Sequence, residues 1–186
     1  AALVTGARAQ RPCVVLSAMG KTTDALFATA RAAEAGAIDE ALATAATTFA
    51  RAERASRELF GTDSPHLASC VAALGAMRSE LEVLLRGVTL LRELTPRTSD
   101  AIVAHGERIA TTLFAALLAA QGVDVVHQDA RTVMRTDDRF GSATPLRGEI
   151  RSLAALHIAP HLARGAVVVT QGYVGGTAQG FTTPLG

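Results

Sequence analysis

Two segments near opposite ends of the chain each run from β-branched residues into a turn rich in glycine and threonine. SAMGKTTDAL occupies residues 17–26, and VTQGYVGGTAQGFTTPLG occupies residues 169–186. Such transitions are typical of α/β sheets, because the carboxyl ends of parallel strands open onto loops and helix N-termini that receive anionic groups. The pair therefore predicts one shared ligand site at one edge of a parallel sheet.

The rest of the chain alternates between the two kinds of regular element. Short β-branched runs predict three strands, at residues 13–19, 123–128 and 166–170. Apolar residues at helical spacing predict helices between them, at residues 24–35, 38–57, 66–94, 105–122 and 150–162. Because parallel strands need long crossover connections, this order favours a mainly parallel sheet with helices on both faces.

Length and composition bound the class of protein. A chain of 186 residues fits one domain, and 49% hydrophobic with 19% charged residues is typical of a well-packed globular protein. A net charge of +1 leaves no cationic excess for a nucleic-acid backbone. The apolar run at residues 109–123 is too short to span a bilayer and is predicted to be a buried helix. We expect no nucleic acid or membrane partner and a cytoplasmic location.

The cysteines and the charged loop have simple structural interpretations. Cys13 and Cys70 lack metal-ligand spacing, so both are predicted to be small core side chains. The arginines and aspartates within residues 129–139 are predicted to form solvated ion pairs, with a substrate clamp as the alternative. The histidines and cysteines do not show ligand spacing, and no residue is assigned to a metal.

Four motifs, in order, resemble those of aspartate kinases. They are VVLSAMGKTTDAL, HGERIATTLFAALLAAQG, QDARTVMRTDDRFGSATP and VVVTQGYVGGTAQGFTTPLG. The MRTDDRFG core is most similar to the lysine-sensitive, monofunctional branch. The resemblance implies the amino-acid kinase (carbamate kinase-like) fold, a three-layer α/β/α sandwich with a mainly parallel central sheet.

The resemblance also implies that residues 1–186 are a partial catalytic domain, incomplete at both ends. Aspartate kinases carry a Lys-Phe-Gly-Gly strand-loop before the first motif and continue the last motif as Leu-Gly-Arg-Gly-Gly-Ser-Asp, followed by the rest of the nucleotide site and by ACT domains. The catalytic lysine and aspartate are expected outside these residues. We therefore expect these residues alone to be inactive.

The resemblance assigns a substrate pocket within the chain. Glu107 matches an aspartate-binding glutamate, and its charge suits a substrate ammonium. Thr23 matches a threonine that binds the substrate, Ser17 lines the same turn, and Tyr173 takes the place of an aromatic residue, usually phenylalanine. Without the resemblance, Glu107 would be explained by the helix dipole and Thr23 by helix capping.

Three glycines are expected to lie near the nucleotide phosphates, where a small residue lets backbone amides approach an anion. They are Gly20, Gly172 and Gly175. This sequence departs from the family pattern at Lys21, whose side chain is expected to point into solvent, and at Pro184, which removes a backbone donor from the last loop.

The implied reaction is ATP-dependent phosphorylation of L-aspartate to 4-phospho-L-aspartate, the entry to lysine, threonine and methionine synthesis, with Mg²⁺ accompanying ATP. A homodimer or larger homo-oligomer is expected. Two alternatives stay open: the kinase part of a bifunctional aspartokinase–homoserine dehydrogenase, and a non-catalytic aspartate-binding regulatory homologue. The sequence does not indicate which amino acid gives feedback inhibition.

Overall fold

A computed structural model describes residues 1–185, except for the side chain of Arg8. Gly186, the last residue of the second Gly/Thr-rich segment, lies outside the described residues. The helices are α1 (Ala2–Gly6), α2 (Thr22–Glu34), α3 (Ile38–Phe60), α4 (Pro65–Leu91), α5 (Pro96–Val103), α6 (His105–Ala120), α7 (Arg147–His157) and α8 (Ala159–Ala163). The strands are β1 (Cys13–Leu16), β2 (Val125–Gln128), β3 (Val167–Gln171), β4 (Val174–Gly176) and β5 (Thr182–Pro184). Short 3₁₀ turns cover Arg8–Gln10 and Ala130–Thr132.

The main sheet is parallel and has the order β1-β3-β2. In its register Cys13 pairs with Val168, and Val125 pairs with Val167. The central strand β3 is buried at all five positions, as expected for a strand covered on both faces. The predicted parallel sheet is confirmed, and its three strands carry the three predicted β-branched runs.

Helices cover both faces of this sheet. On one face, Val167 and Val169 pack with Leu118 of α6 and Val4 of α1. Because side chains alternate along a strand, Val168 points to the opposite face, where α8 packs against β3. This arrangement confirms the predicted three-layer α/β/α architecture.

A second core lies among the helices, away from the sheet. Helices α2, α3 and α4 pack on one another and on the beginning of α6, and their largest fully buried side chains are Phe49, Leu26, Leu74, Leu81 and Leu85. Small residues on α3 such as Ala41 bring its backbone close to its neighbours, which compensates for the short side chains.

Helix α6 belongs to both cores. Ile109 and Leu113 face the helical core, whereas Leu118 faces the sheet. By length and composition Pro96–Ala120 could cross a membrane, but 67% of its most apolar window is buried inside the protein. The segment also divides into α5 and α6 around Ala104, with buried acids in each part. The predicted buried helix over residues 109–123 is confirmed.

Several details differ from the sequence-based expectations. Strand β1 ends at Leu16, so residues 17–19 belong to the turn. The helix predicted at residues 150–162 is broken at Ile158, two residues before Pro160, whose ring cannot continue a helix interior. The prediction of a core position is wrong for Cys13, which is exposed because β1 lies at the edge of the sheet, and correct for Cys70.

Candidate functional site

The turn between β1 and α2 forms the first wall of the candidate site. Gly20 adopts φ +56°, a left-handed conformation that side chains disfavour. The Thr22 hydroxyl donates to the Met19 carbonyl at 2.6 Å, which closes the turn from inside. Lys21 holds the N-cap position of α2 without a side-chain cap. The capping explanation of Thr23 is therefore wrong, because Thr23 lies inside the helix.

Glu107 supplies the acidic group at this turn. It lies in the first turn of α6, is only 3% exposed, and its Oε1 accepts a hydrogen bond from the Ala18 backbone N–H at 3.3 Å. Its Oε2 is buried and has no hydrogen-bond partner within residues 1–185. Burial raises the pKa of the Glu107 carboxyl above its ordinary value, although the Ala18 hydrogen bond opposes this shift.

This environment distinguishes Glu107 from an acid that merely complements a helix dipole. At an exposed helix end the interaction of such an acid with the dipole contributes only about 0.3–1 kcal/mol. A buried carboxylate oxygen without a donor costs free energy, on the order of 1–3 kcal/mol or more. A cationic donor such as an ammonium group would satisfy Oε2 and compensate that cost.

Close packing at Gly106 brings α6 to the turn. A Cβ added to Gly106 would lie 2.9 Å from the Ala18 Cβ and 3.5 Å from Thr22 Cγ2. Only a glycine therefore allows the start of α6 to approach the turn this closely without a shift. Sequence analysis did not single out Gly106, although a glycine directly before the predicted acid was the available signal.

The Gly172–Tyr173 turn meets the same place from β3. The Gly172 N–H donates to the Leu16 carbonyl at 2.8 Å, and a Cβ added to Gly172 would lie 3.5 Å from Ser17 Oγ. Tyr173 adopts φ +62° and is 42% exposed. Burial raises the pKa of its phenol, and so do the negative charges of Asp100 and Glu107.

The structure thus brings Ser17, Glu107, Gly172 and Tyr173 to one edge of the sheet, with Gly20 on the turn after β1 and Thr23 in the first turn of α2. Their roles in binding stay predictions. Gly175 has a packing explanation of its own, since an added Cβ would lie 2.7 Å from the Met134 carbonyl oxygen.

A cavity of about 240 Å³ opens beside Tyr173. Its other lining residues include Phe27, Asp100, Gly141 and Thr183. Asp100 is 7% exposed, and burial raises its carboxyl pKa to about 6 despite a hydrogen bond from the Gly141 N–H. Sequence analysis passed over Asp100, although an acid seven residues before Glu107, in an otherwise apolar stretch, was a usable signal.

The charged loop forms local pairs, as its ion-pair interpretation predicts. Arg131 pairs with Asp129, and Arg139 pairs with Asp137 at 2.9 Å. Arg135 donates to the carbonyl oxygens of Gly176 and Thr177, and its Nε lies 3.6 Å from Glu149 Oε2. These arginines hold loops together and are not assigned to ligand binding.

Within the part of the chain that the structure describes, no three His, Cys, Asp or Glu side chains come together as a metal site. We therefore assign no residue within 1–185 to a metal ion. A metal that accompanies a nucleotide would need ligands from the nucleotide itself or from other residues.

Comparisons with known proteins show the family of this chain. The model of the amino acid kinase family matches residues 2–186. Lysine-sensitive aspartokinase 3 of Escherichia coli (strain K12) is 42% identical over 115 residues, which cover 59% of this chain and 25% of that relative. Aspartokinase 1, chloroplastic, of Arabidopsis thaliana is 31% identical over 181 residues, which cover 95% of this chain and 30% of that relative.

Among solved structures, E. coli aspartokinase III in complex with aspartate and ADP (R-state) superposes with a TM-score of 0.80 at 32% identity. The superposition covers 94% of this chain and 37% of that chain. The chain spans less than a third of the length of the two curated relatives above. The resemblance to aspartate kinases inferred from the four motifs is confirmed.

Proposed function

Because the chain belongs to the amino acid kinase family, we propose that its protein transfers the terminal phosphoryl group of ATP to the side-chain carboxylate of L-aspartate, forming 4-phospho-L-aspartate. The observation that carries this proposal is the buried Glu107 carboxylate, whose Oε2 lacks a partner within residues 1–185. The E. coli relative whose structure holds aspartate and ADP supports it.

In this proposal Glu107 binds the ammonium group of aspartate. An ion pair between a buried carboxylate and an ammonium is charge-assisted and fixes the orientation of the amino acid. The hydroxyls of Ser17, in the turn after β1, and of Thr23, in the first turn of α2, contact the substrate, and the Tyr173 ring forms one wall. Orientation matters because phosphoryl transfer depends mainly on positioning and on charge stabilisation.

ATP is proposed to approach the glycine turns, with Gly20, Gly172 and Gly175 nearest to its phosphates. Magnesium is proposed to arrive with ATP and to neutralise phosphate charge. The cytoplasmic location, the homo-oligomer, the three amino-acid pathways and the inactivity of residues 1–186 alone stay predictions. The bifunctional and non-catalytic alternatives also stay open.

The test is a pair of substitutions in the complete protein, Glu107→Gln and Thr23→Val. We expect the KM for aspartate to rise roughly 10-fold or more in Glu107→Gln, because a charge-assisted hydrogen bond contributes about 1.5–3 kcal/mol. Thr23→Val is expected to raise it less, and the KM for ATP is expected to change less than about twofold in both variants. Steady-state kinetics with each substrate varied in turn gives these values.

Glu82→Gln is the matched control, since Glu82 lies on α4 and pairs with Arg78, one helical turn away, at 2.8 Å. It makes the same change of charge away from the site and is expected to leave both KM values unchanged. Wild-type aspartate kinetics in Glu107→Gln and Thr23→Val would remove the site assignment.

A further inference from the structure

Asp100 is an acidic residue that the proposed reaction does not use. It lies on α5, is 7% exposed, and lines the cavity beside Tyr173. Its Oδ2 accepts a hydrogen bond of 2.8 Å from the backbone N–H of Gly141, a residue 41 positions later in the chain. Burying an acid costs free energy unless the acid is hydrogen-bonded, so the Gly141 N–H compensates part of the cost of burying Asp100.

Gly141 belongs to the loop between β2 and α7, and this loop is bonded onward to β5. Two residues after Gly141, the Ala143 N–H donates to the Pro184 carbonyl at 3.1 Å. The Thr136 hydroxyl lies 2.8 Å from the Thr183 hydroxyl, and both are buried. The Asp100 contact therefore holds the loop that in turn holds β5.

From β5 the connection reaches Tyr173. The Leu185 N–H, directly after β5, donates to the Tyr173 carbonyl at 2.8 Å. Pro184 is paired with Val174, the residue after Tyr173. Since Tyr173 adopts the disfavoured φ of +62°, its position depends on neighbours that hold it there.

We propose that Asp100 is a positioning residue for the amino-acid pocket: its carboxylate fixes the loop of residues 136–145 against α5 and, through β5, holds Tyr173 at the wall of the pocket. This inference rests on the proposed function of that pocket. The effect on substrate binding is indirect, because Asp100 acts through Gly141 and not through a contact with the amino acid.

The alternative is that Asp100 serves stability alone. The two roles differ in what they predict for substrate affinity. A residue that only stabilises the fold changes the unfolding transition and leaves the KM of the folded enzyme unchanged. A positioning residue changes the KM for the substrate held by the displaced wall while the other substrate is unaffected.

The test compares Asp100→Ala with Asp100→Asn in the complete protein. Alanine removes the acceptor for the Gly141 N–H, whereas the asparagine carbonyl can still accept from it. We expect Asp100→Ala to raise the KM for aspartate about fivefold or more, with kcat and the KM for ATP within about twofold. Asp100→Asn is expected to restore the aspartate KM to within about twofold of wild type.

Asp138→Asn is the matched control, because Asp138 is an exposed acid in the same loop. It removes the same charge and is expected to leave both KM values unchanged. Hydrogen exchange gives a readout independent of turnover: amides of residues 139–146 are expected to exchange faster in Asp100→Ala than in wild type, and at the wild-type rate in Asp138→Asn.

The outcomes separate this inference from the proposed function. A normal aspartate KM in Asp100→Ala, beside a raised value in Glu107→Gln, overturns the inference and leaves the proposed function standing. Normal values in both overturn the inference together with the assignment of Glu107 to the amino-acid pocket, whereas the absence of aspartate phosphorylation by the wild-type protein would overturn the proposed function itself. The inference is also overturned if Asp100→Ala and Asp100→Asn raise the KM for aspartate and the KM for ATP to the same extent.

If Asp100→Ala does not fold, hydrogen exchange of the wild-type protein decides. Slower exchange of the amides of residues 139–146 with aspartate bound supports the inference, and unchanged exchange overturns it.

Discussion

At the scale of single residues, the candidate site is marked by ionisable groups that are buried at the junction of α5 and α6. Asp100, His105 and Glu107 are all less than 10% exposed. In each case burial disfavours the charged form, so it raises the pKa of the two acids and lowers that of the histidine. The protein retains charge-bearing groups here at the expense of stability, which is typical of functional sites.

His105 gives a pH dependence with a definite sign. Burial and then the neighbouring Arg108 lower its pKa from 6.5 to about 4, and its Nδ1 lies 3.0 Å from the Ala101 carbonyl oxygen. At this position the unfolded chain therefore takes up a proton first as the pH falls from about 6.5 towards 4, so the His105 contribution to stability falls over that window by on the order of 2–3 kcal/mol, at about 1.4 kcal/mol per pH unit. The raised pKa of Asp100, about 6, acts in the opposite direction, because there the native state takes up the proton first.

Urea unfolding of the complete protein between pH 7 and pH 4 measures this effect. Between pH 7 and pH 4 the free energy of unfolding of His105→Asn is expected to rise relative to that of wild type, because the His105 loss is absent, whereas His161→Asn on α8 is expected to keep the wild-type pH dependence. A difference between His105→Asn and wild type that does not change with pH would exclude His105 as the source of this effect.

At the scale of elements, the site depends on how closely α6 approaches the turn after β1. That approach is set by Gly106, whose missing side chain leaves room for Ala18. The same contact allows the Ala18 N–H to reach Glu107 Oε1. One small residue thus positions both the helix and its acidic side chain.

Gly106→Ala is expected to separate α6 from the turn. The added Cβ would lie 2.9 Å from the Ala18 Cβ, so α6 or the turn must shift, and overpacking of this kind costs about 1–3 kcal/mol. We expect a lower urea midpoint and a raised aspartate KM. Gly75→Ala on α4 is the matched control, because an added Cβ there has no neighbour within 4 Å. It is expected to stabilise the protein by roughly 0.5–1 kcal/mol. Equal effects of the two substitutions would contradict the packing argument.

At the scale of the whole molecule, two hydrophobic cores share one helix. The helical core and the sheet core meet through α6, which gives Leu113 to the first and Leu118 to the second. The cores should therefore unfold together, since loss of α6 from either would expose apolar surface in both.

Leu118→Ala tests this coupling. Truncating this fully buried side chain is expected to cost about 2–5 kcal/mol. Because the cores are coupled, hydrogen-exchange protection of α3 and α4 should fall along with that of β3. Leu90→Ala, at a position 84% exposed, is expected to change stability by less than about 0.5 kcal/mol. Unchanged protection of α3 and α4 in Leu118→Ala would show that the cores unfold independently.

Local patterns were enough to predict most of the elements. The strand β3 and the helix α6 follow from β-branched runs and helical spacing, which are properties of neighbouring residues. The β4–β5 hairpin was not predicted, because its strands are only three residues long and are formed by pairing across a turn. Helix α5 was also not predicted as a separate element, although Thr95 and Pro96 give it an ordinary N-terminal cap and first turn.

The sequence by itself determined the α/β class, the family resemblance and the two strand-end turns, because these depend on residue types and on their order. Only the tertiary structure decided that Glu107 Oε2 is buried without a partner within residues 1–185, that Gly106 packs against Ala18, and that Asp100 accepts a hydrogen bond from Gly141. These are contacts between residues far apart in the chain. No local pattern encodes them, because they arise only when the packed helices and strands fix the distances between distant side chains.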